Sequence, residues 1–221
     1  MNPTRRTLAG ALVGAAALFT ATAFTFAQDA GKPGGNAAAG AANSASAAPS
    51  AAFMQDAMKR WMDANTPGAA HKQLARFLGA WDLETSMQGE GGPPMESKGT
   101  AEFHWLYDGR WLQQTWSAPM MGMPAAGQMT FGYDNFKKKY VTSAVDNFET
   151  TLLTSAGDFD QSGNTLITYG LMDEPMTGEV GKTVRYIWRL QGPDKIDFEV
   201  HDLAIGETNT KVYEVVYTRH K

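Results

Sequence analysis

The spacing of apolar residues changes at Gly79, and this change predicts the architecture of the chain. In residues 51–64, AAFMQDAMKRWMDA, the apolar side chains recur at helical spacing, and a second short helix is predicted over residues 70–77. From Trp81 onward apolar and polar residues alternate, which is the period of a β-strand. The sequence therefore predicts one or two short helices, followed by an all-β segment against which the first helix docks as a lid or brace.

The all-β segment divides into short strands separated by turn residues. Asp108 and Gly109 form a strong hairpin signal, because a type I′ turn needs positive φ at both central positions. Short strands at regular spacing favour an antiparallel up-and-down meander. Since about ten strands are more than an open twisted sheet accommodates well, we expect a mainly β fold closed into a barrel. The predicted strands begin at Trp81, Gly99, Arg110, Gln128, Lys138, Thr150, Asn164, Lys182, Asp194 and Thr210.

The N-terminal segment has the features of an export signal. Arg5 and Arg6 precede an apolar run in which Thr25 and Ala27 occupy the small-residue positions of a signal-peptidase site. The paired arginines followed by Leu8 fit a twin-arginine signal, and a general secretion signal fits them equally well. We expect cleavage after Ala27 and a periplasmic or secreted protein with no membrane span, the alternative being an uncleaved anchor.

These patterns predict four segments. Residues 1–27 are a signal peptide, and residues 28–50 are a linker rich in Ala, Gly and Ser that has little to bury and is expected to be disordered. Residues 51–78 hold the N-terminal helices, and residues 79–221 form the barrel.

Composition removes several classes of function. The chain has a net charge of -4 at pH 7 and one short basic cluster at residues 137–139, so we expect no nucleic-acid partner. It contains no cysteine, which excludes disulfides, thiol catalysis, iron–sulfur ligation and covalent haem attachment. The apolar core alone must therefore hold the fold together.

The segment around Gly79 and Trp81 resembles the opening of calycin barrels, the group that includes lipocalins and fatty-acid-binding proteins. The resemblance implies that a short helix closes one end of the barrel, that Trp81 fills this end and that Arg219 of the last strand lies across its ring. Glycine at position 79 permits the sharp turn before the strand. We expect Gly79, Trp81 and Arg219 to close the barrel and to take no part in chemistry.

A second resemblance extends from His71 to Arg219. Its motifs are HxxLxxFLGxW at residues 71–81, DGRWL at 108–112, GYD at 132–134, GDFD at 157–160 and VYTR at 216–219. In these motifs the chain is similar to the bacterial family known as domain of unknown function 1579. The resemblance implies a lipocalin-like barrel that is commonly exported, and it implies no reaction.

The alternation predicts which side chains face the barrel interior. Ala101, Phe103 and Trp105 share one strand face, as do Ile196, Phe198 and Val200. A small barrel either fills its interior with side chains or encloses one small ligand, and the sequence leaves both open. We expect an exported barrel that binds a small apolar or amphipathic ligand. The candidate ligand-binding residues are Trp105, Phe131, Tyr133, Tyr186, Trp188 and Phe198.

Two alternatives to ligand binding stay open. Glu102–His104 and Glu199–His201 each place a carboxylate and an imidazole on one strand face, which could bind zinc or iron or perform the acid–base chemistry of a small-barrel isomerase or lyase. The apolar faces lie opposite, so both pairs are expected to point outward. The other alternative is a packed barrel that contacts envelope proteins. We expect a binding protein more than an enzyme, and the sequence leaves the ligand and the oligomeric state open.

Methionines cluster in the segment PMMGMP. Met120, Met121 and Met123 lie close together, and thioethers favour Cu(I). The flanking Pro119 and Pro124 favour a long loop instead, which is either a plain connection or a flexible apolar lid whose methionines cover the mouth of the barrel. From the sequence we therefore expect no metal and no other cofactor.

Overall fold

The computed structural model describes residues 49–221 except 89–91, 176 and 204–209. Helix α1 spans Ala51–Asn65, helix α2 spans Ala69–Gln73, and a 3₁₀ turn covers Leu74–Phe77. Ten strands follow in an antiparallel meander, and β1 also pairs with β10 to close the barrel. The strands are β1 Gly79–Met87, β2 Met95–Leu106, β3 Trp111–Ser117, β4 Ala126–Asp134, β5 Lys139–Asp146, β6 Leu153–Phe159, β7 Thr165–Glu174, β8 Glu179–Leu190, β9 Lys195–Asp202 and β10 Thr210–Arg219.

This architecture confirms the predicted fold class. The predicted signal peptide and the linker as far as residue 48 lie outside the described residues, so their boundaries and the export of the chain stay predictions. Within the described ranges, no helix has the length and apolarity needed to cross a membrane.

Alternation along the strands separates the interior from the outer face. In β1, Trp81, Leu83 and Thr85 are buried, while Asp82 and Glu84 are exposed. The predicted inward faces of β2 and β9 are confirmed, because their apolar residues belong to the core or pack against it. The interior is therefore built from every second residue of each strand.

The hairpin between β2 and β3 has the predicted turn. The amide of Arg110 donates to the carbonyl oxygen of Tyr107 at 3.4 Å, and the two central residues, Asp108 and Gly109, have φ of 57° and 82°. Both values have the positive sign that a type I′ turn needs at its central positions, and Tyr107 before them also has a positive φ of 51°.

One end of the barrel is closed by the short helices and filled with aromatic side chains. Phe77, at the end of the 3₁₀ turn, is 0% exposed. Its ring lies 5.6 Å from the rings of Phe103 and Phe131 and 5.8 Å from that of Trp188. We call this part of the molecule the closed end.

Gly79, Trp81 and Arg219 meet at the closed end. Gly79 has a φ of 103°, which a residue with a Cβ atom rarely adopts. The indole Nε1 of Trp81 donates to the carbonyl oxygen of Phe77 at 2.8 Å, and the guanidinium carbon of Arg219 lies 4.1 Å from the ring centre of Trp81. Arg219 also donates to the carbonyl oxygen of Leu78 at 2.8 Å, so one side chain ties the last strand to the entry of the first.

Helix α1 does not dock against the barrel, and the expected lid or brace is wrong. None of its residues is buried, and the five large apolar side chains of its stripe are 53–60% exposed. The helix ends before Pro67, which disfavours helical backbone in Thr66 and turns the chain away. This exposed stripe leaves an apolar surface on the described part of the chain without an intramolecular contact. The stripe consists of Phe53, Met54, Met58, Trp61 and Met62.

Candidate functional site

The end of the barrel opposite the closed end carries a cavity, and we call this end the mouth. The cavity has a volume of about 270 Å³. Its walls include Thr85 and Met87 near the end of β1, Ser97 near the start of β2, and Tyr213 on β10. The turn formed by residues 119–122 between β3 and β4 completes the lining.

This methionine-rich turn is short and tightly bonded. The amide of Met120 donates to the carbonyl oxygen of Met123 at 2.9 Å, and the amide of Met123 donates back to Met120 at 2.9 Å. Between them Met121 and Gly122 have φ of 50° and 75°, which again makes a type I′ turn. The long loop predicted from its prolines is thus a tight, ordered turn, and it lies at the mouth.

Ser97 attaches the turn to the strands. Its hydroxyl donates to the carbonyl oxygen of Pro119 at 2.7 Å and lies 2.7 Å from the hydroxyl of Thr85. Two neighbouring strands and the turn are therefore joined through one polar side chain, and this arrangement holds the turn against the cavity.

Several polar side chains inside the barrel hydrogen-bond to one another. The side-chain amide of Gln114 donates to the hydroxyl of Tyr217 at 2.9 Å, and burial raises the pKa of this tyrosine. Ser155 lies 2.6 Å from the hydroxyl of Thr142 and donates to that of Thr168 at 2.8 Å. These pairs occupy interior space and keep the buried hydroxyl groups hydrogen-bonded.

The aromatic residues predicted to bind a ligand lie in and around the core. The rings of Trp188 and Phe198 stack at 4.0 Å, and Phe131 packs edge-on against Trp188 at 5.2 Å. Tyr133 packs against Tyr140 at 4.9 Å. Trp105 is partly buried against the core. None of the six residues lines the mouth cavity, so their role in binding stays a prediction.

Two of these six residues carry unsatisfied polar atoms. Within the described chain, the hydroxyl of Tyr186 and the indole Nε1 of Trp188 are buried without a hydrogen-bond partner. Burial, and to a smaller extent the charge of Glu149, raises the pKa of Tyr186 to about 12. Tyr186 is therefore a neutral donor near pH 7, and both atoms could satisfy an acceptor that entered the interior.

Both Glu–His pairs lie on the outer face of the barrel, as predicted. Glu102 is exposed, while Glu199 accepts from Arg189 at 2.6 Å and lies 3.0 Å from His201. Burial opposes ionisation of Glu199, but His201, Arg189 and the charge of Lys211 outweigh it and lower the pKa of Glu199 to about 2. The alternative of a small-barrel isomerase or lyase needs such a pair inside the barrel. In the described strands, neither pair lies inside.

The classical hard and borderline metal ligands do not converge. In the part of the chain that the structure describes, no group of three or more His, Cys, Asp and Glu side chains could hold a metal ion.

Sequence reasoning missed most of the residues that line the mouth. Met87 ends β1 and Met95 begins β2, and the two are cross-strand partners. Because the two methionines flank one hairpin connection, the sequence could have predicted that they lie at the same end of the barrel as the methionine-rich turn. Thr85, Ser97 and Tyr213 carry no comparable signal, because each is an ordinary strand residue.

Comparison with known proteins places the chain among proteins without an assigned activity. A family model described as "Protein of unknown function (DUF1579)" matches residues 66–219. No curated protein matches the sequence.

Among solved structures, the chain is similar to Rv2717c from M. tuberculosis, with 15% identity and a TM-score of 0.52 over 71% of this chain and 100% of that one. This likeness shows the barrel fold alone. The S-type phycobiliprotein lyase CPES from Guillardia theta is 9% identical, with a TM-score of 0.46 over 73% of this chain and 97% of that chain.

Proposed function

We propose that this chain, which belongs to the DUF1579 family of proteins of unknown function, is an exported β-barrel that binds a small amphipathic molecule at its mouth. The observation that carries the proposal is the cavity of about 270 Å³ at this end, because the closed end is filled by aromatic side chains. Pockets that hold drug-sized ligands measure about 300–1,000 Å³. The occupant of the mouth is therefore a small molecule or the end of a longer one.

The chemistry of the lining supports an amphipathic occupant. Methionine side chains such as those of Met87 and Met120 supply a flexible apolar surface that adapts to the shape of a ligand. The hydroxyls of Thr85, Ser97 and Tyr213 supply hydrogen-bonding groups on the strand side. Burial raises the pKa of Tyr213, which outweighs the opposite effect of its hydrogen bond with Thr85. The phenol is thus neutral near pH 7, and the hydrogen bonds at this wall are made by uncharged groups.

The six aromatic residues predicted from the sequence enter the proposal as a deeper part of the site. Tyr213 lines the cavity and also packs against the core, so the two regions share a wall. In the described chain, the hydroxyl of Tyr186 and the Nε1 of Trp188 are buried without a hydrogen-bond partner. This supports a ligand whose acceptor group extends past this wall. Trp105, Phe131, Tyr133 and Phe198 would contact the apolar part of such a ligand once the aromatic side chains that fill the closed end moved apart.

Replacing Ser97 with phenylalanine is expected to weaken binding of the neutral naphthalene dye prodan at the mouth by at least ten-fold. The larger side chain fills the cavity and removes the hydroxyl that attaches the turn. The measurement is a fluorescence titration of the full chain, with circular dichroism to verify the fold. We expect the dissociation constant to be at least ten-fold higher, which corresponds to a loss of about 1.4 kcal/mol of binding free energy.

The matched control is Thr100→Phe, which places the same side chain on the outer face of the same strand. It should retain at least the binding of the unsubstituted protein, including any dye bound to α1. Equal dye binding by both variants would contradict the assignment of the ligand to the mouth.

Export is the second part of the proposal, and its support is the arginine pair and apolar run before Ala27. N-terminal sequencing of the protein recovered from its own cells should find a chain that begins near Gln28. A chain that retains residues 1–27 would instead support the uncleaved anchor.

A further inference from the structure

We propose that the methionines at the mouth form a binding site for a soft monovalent metal ion of the Cu(I) class. Met87 from the end of β1, Met95 from the start of β2, and Met120 and Met121 from the turn between β3 and β4 all line the same cavity. Met87 and Met95 are direct cross-strand partners. Four thioethers from three segments of the chain therefore surround one space.

Thioether sulfur is a neutral, soft ligand, and this selects the metal. Cu(I) accepts such ligands, whereas Mg²⁺ and Ca²⁺ require oxygen and Zn²⁺ takes imidazole or thiolate. The chain has no cysteine, and its described residues hold no cluster of His, Asp and Glu that would compete for the ion. Glu96 also lines the cavity, and its carboxylate provides a negative charge beside a monovalent cation.

Met121 has an unfavourable backbone conformation, which the turn could avoid with another residue at this position. Its φ of 50° lies in the left-handed region, which is unfavourable for a residue with a Cβ atom. Type I′ turns use Asn, Asp or Gly at this position for that reason. Met121 is also 44% exposed and Met95 43% exposed, so neither side chain is retained for core packing.

The flexibility of methionine allows the four sulfur atoms to converge. Each side chain is unbranched and has three rotatable bonds, while the backbone that carries them is held in place. Ser97 bonds the turn to β2, and the turn closes on itself through two backbone hydrogen bonds of 2.9 Å. The site thus combines fixed attachment points with adjustable ligands.

The fold changes the interpretation that the sequence suggested for these methionines. The sequence groups Met120, Met121 and Met123, but Met123 does not line the cavity. The strand residues Met87 and Met95 take its place, and only the closed barrel brings them to the turn. The inference goes beyond the amphipathic ligand and does not depend on it.

The test is competition for Cu(I) between the full chain and the chromophoric chelator bicinchoninate, under anaerobic reducing conditions. The unsubstituted protein should withdraw one equivalent of Cu(I) from the chelator. The double variant Met87→Leu/Met120→Leu keeps apolar side chains of similar size but removes two thioethers, and it should bind Cu(I) at least ten-fold more weakly. Met95→Leu, at an exposed strand end, gives the same test if the double variant fails to fold.

The control is Met58→Leu/Met62→Leu on α1, which removes two exposed thioethers away from the mouth. It should bind Cu(I) like the unsubstituted protein. The proposal is overturned if the protein withdraws no Cu(I), if the mouth variants retain full affinity, or if the α1 control loses as much. The prodan titration of the unsubstituted protein without Cu(I) reports the ligand site independently, so that failure of the metal site and failure of the ligand site can be told apart.

Discussion

Replacing Trp81 with alanine is expected to lower the free energy of unfolding by about 3–5 kcal/mol, the range for removing a large buried aromatic side chain. Trp81 is 1% exposed and fills the closed end, where its indole donates to the backbone of Phe77. Its loss leaves a cavity next to Tyr217, whose ring meets it edge-on at 6.4 Å, and leaves the guanidinium of Arg219 without the ring it covers. For a domain of this size the midpoint of thermal unfolding should fall by about 10 °C.

Two further variants separate burial from closure. Trp111→Ala removes the same side chain from the outer face, where it is 39% exposed, and should cost about 1 kcal/mol. Arg219→Ala keeps the tryptophan but removes the contact over its ring and the bond to Leu78, and should fall between the two. Urea unfolding of the three variants provides the comparison. Equal losses at Trp81 and Trp111 would be incompatible with the role of Trp81 in closing the barrel.

Replacing Gly157 with alanine is expected to cost about 2–3 kcal/mol, at the upper end of the range for overpacking. A Cβ atom at this position would lie 1.9 Å from the carbonyl oxygen of Ile167 and 2.7 Å from the Cα atom of Thr168. Both atoms belong to the backbone of β7, which cannot move aside without losing the pairing of β6 with β7. Gly170 on β7 has the same constraint, since its Cβ atom would lie 2.3 Å from the carbonyl oxygen of Thr154.

Gly68→Ala is the matched control for this effect. A Cβ atom at Gly68 meets nothing within 4 Å, and its φ of -121° is accessible to alanine. Thermal unfolding of the two variants should therefore differ by several degrees. A Gly157→Ala protein as stable as Gly68→Ala would show that β6 and β7 can separate locally at little cost.

The part of the fold that depends on local pattern was predictable from the sequence. Alternation located all ten strands, and Asp108-Gly109 identified a type I′ turn, because both signals arise within a few neighbouring residues. The resemblance to calycin barrels led to the pairing of Trp81 with Arg219, which are register partners in the closed sheet.

The features that depend on distant neighbours were not predictable. The stripe of α1 is amphipathic, but amphipathicity does not show whether a surface lies opposite it, and here the helix remains exposed. The constraint on Gly157 comes from the backbone of Ile167 and Thr168. The mouth cavity depends on how much space the side chains of four segments leave between them. Each of these three features depends on the positions of residues that are distant in sequence, and the periodicity of the sequence does not reveal those positions.

The pairing of β1 with β10 sets the order in which the molecule can be completed. Leu83 on β1 is the register partner of Tyr217 on β10. The first strand of the barrel therefore cannot complete its pairing until the last strand has been synthesised. Until Thr210–Arg219 is available, β1 and β9 both present unpaired edges, which are templates for association with other chains. A nascent chain of this protein is thus most exposed to aggregation just before β10 is synthesised.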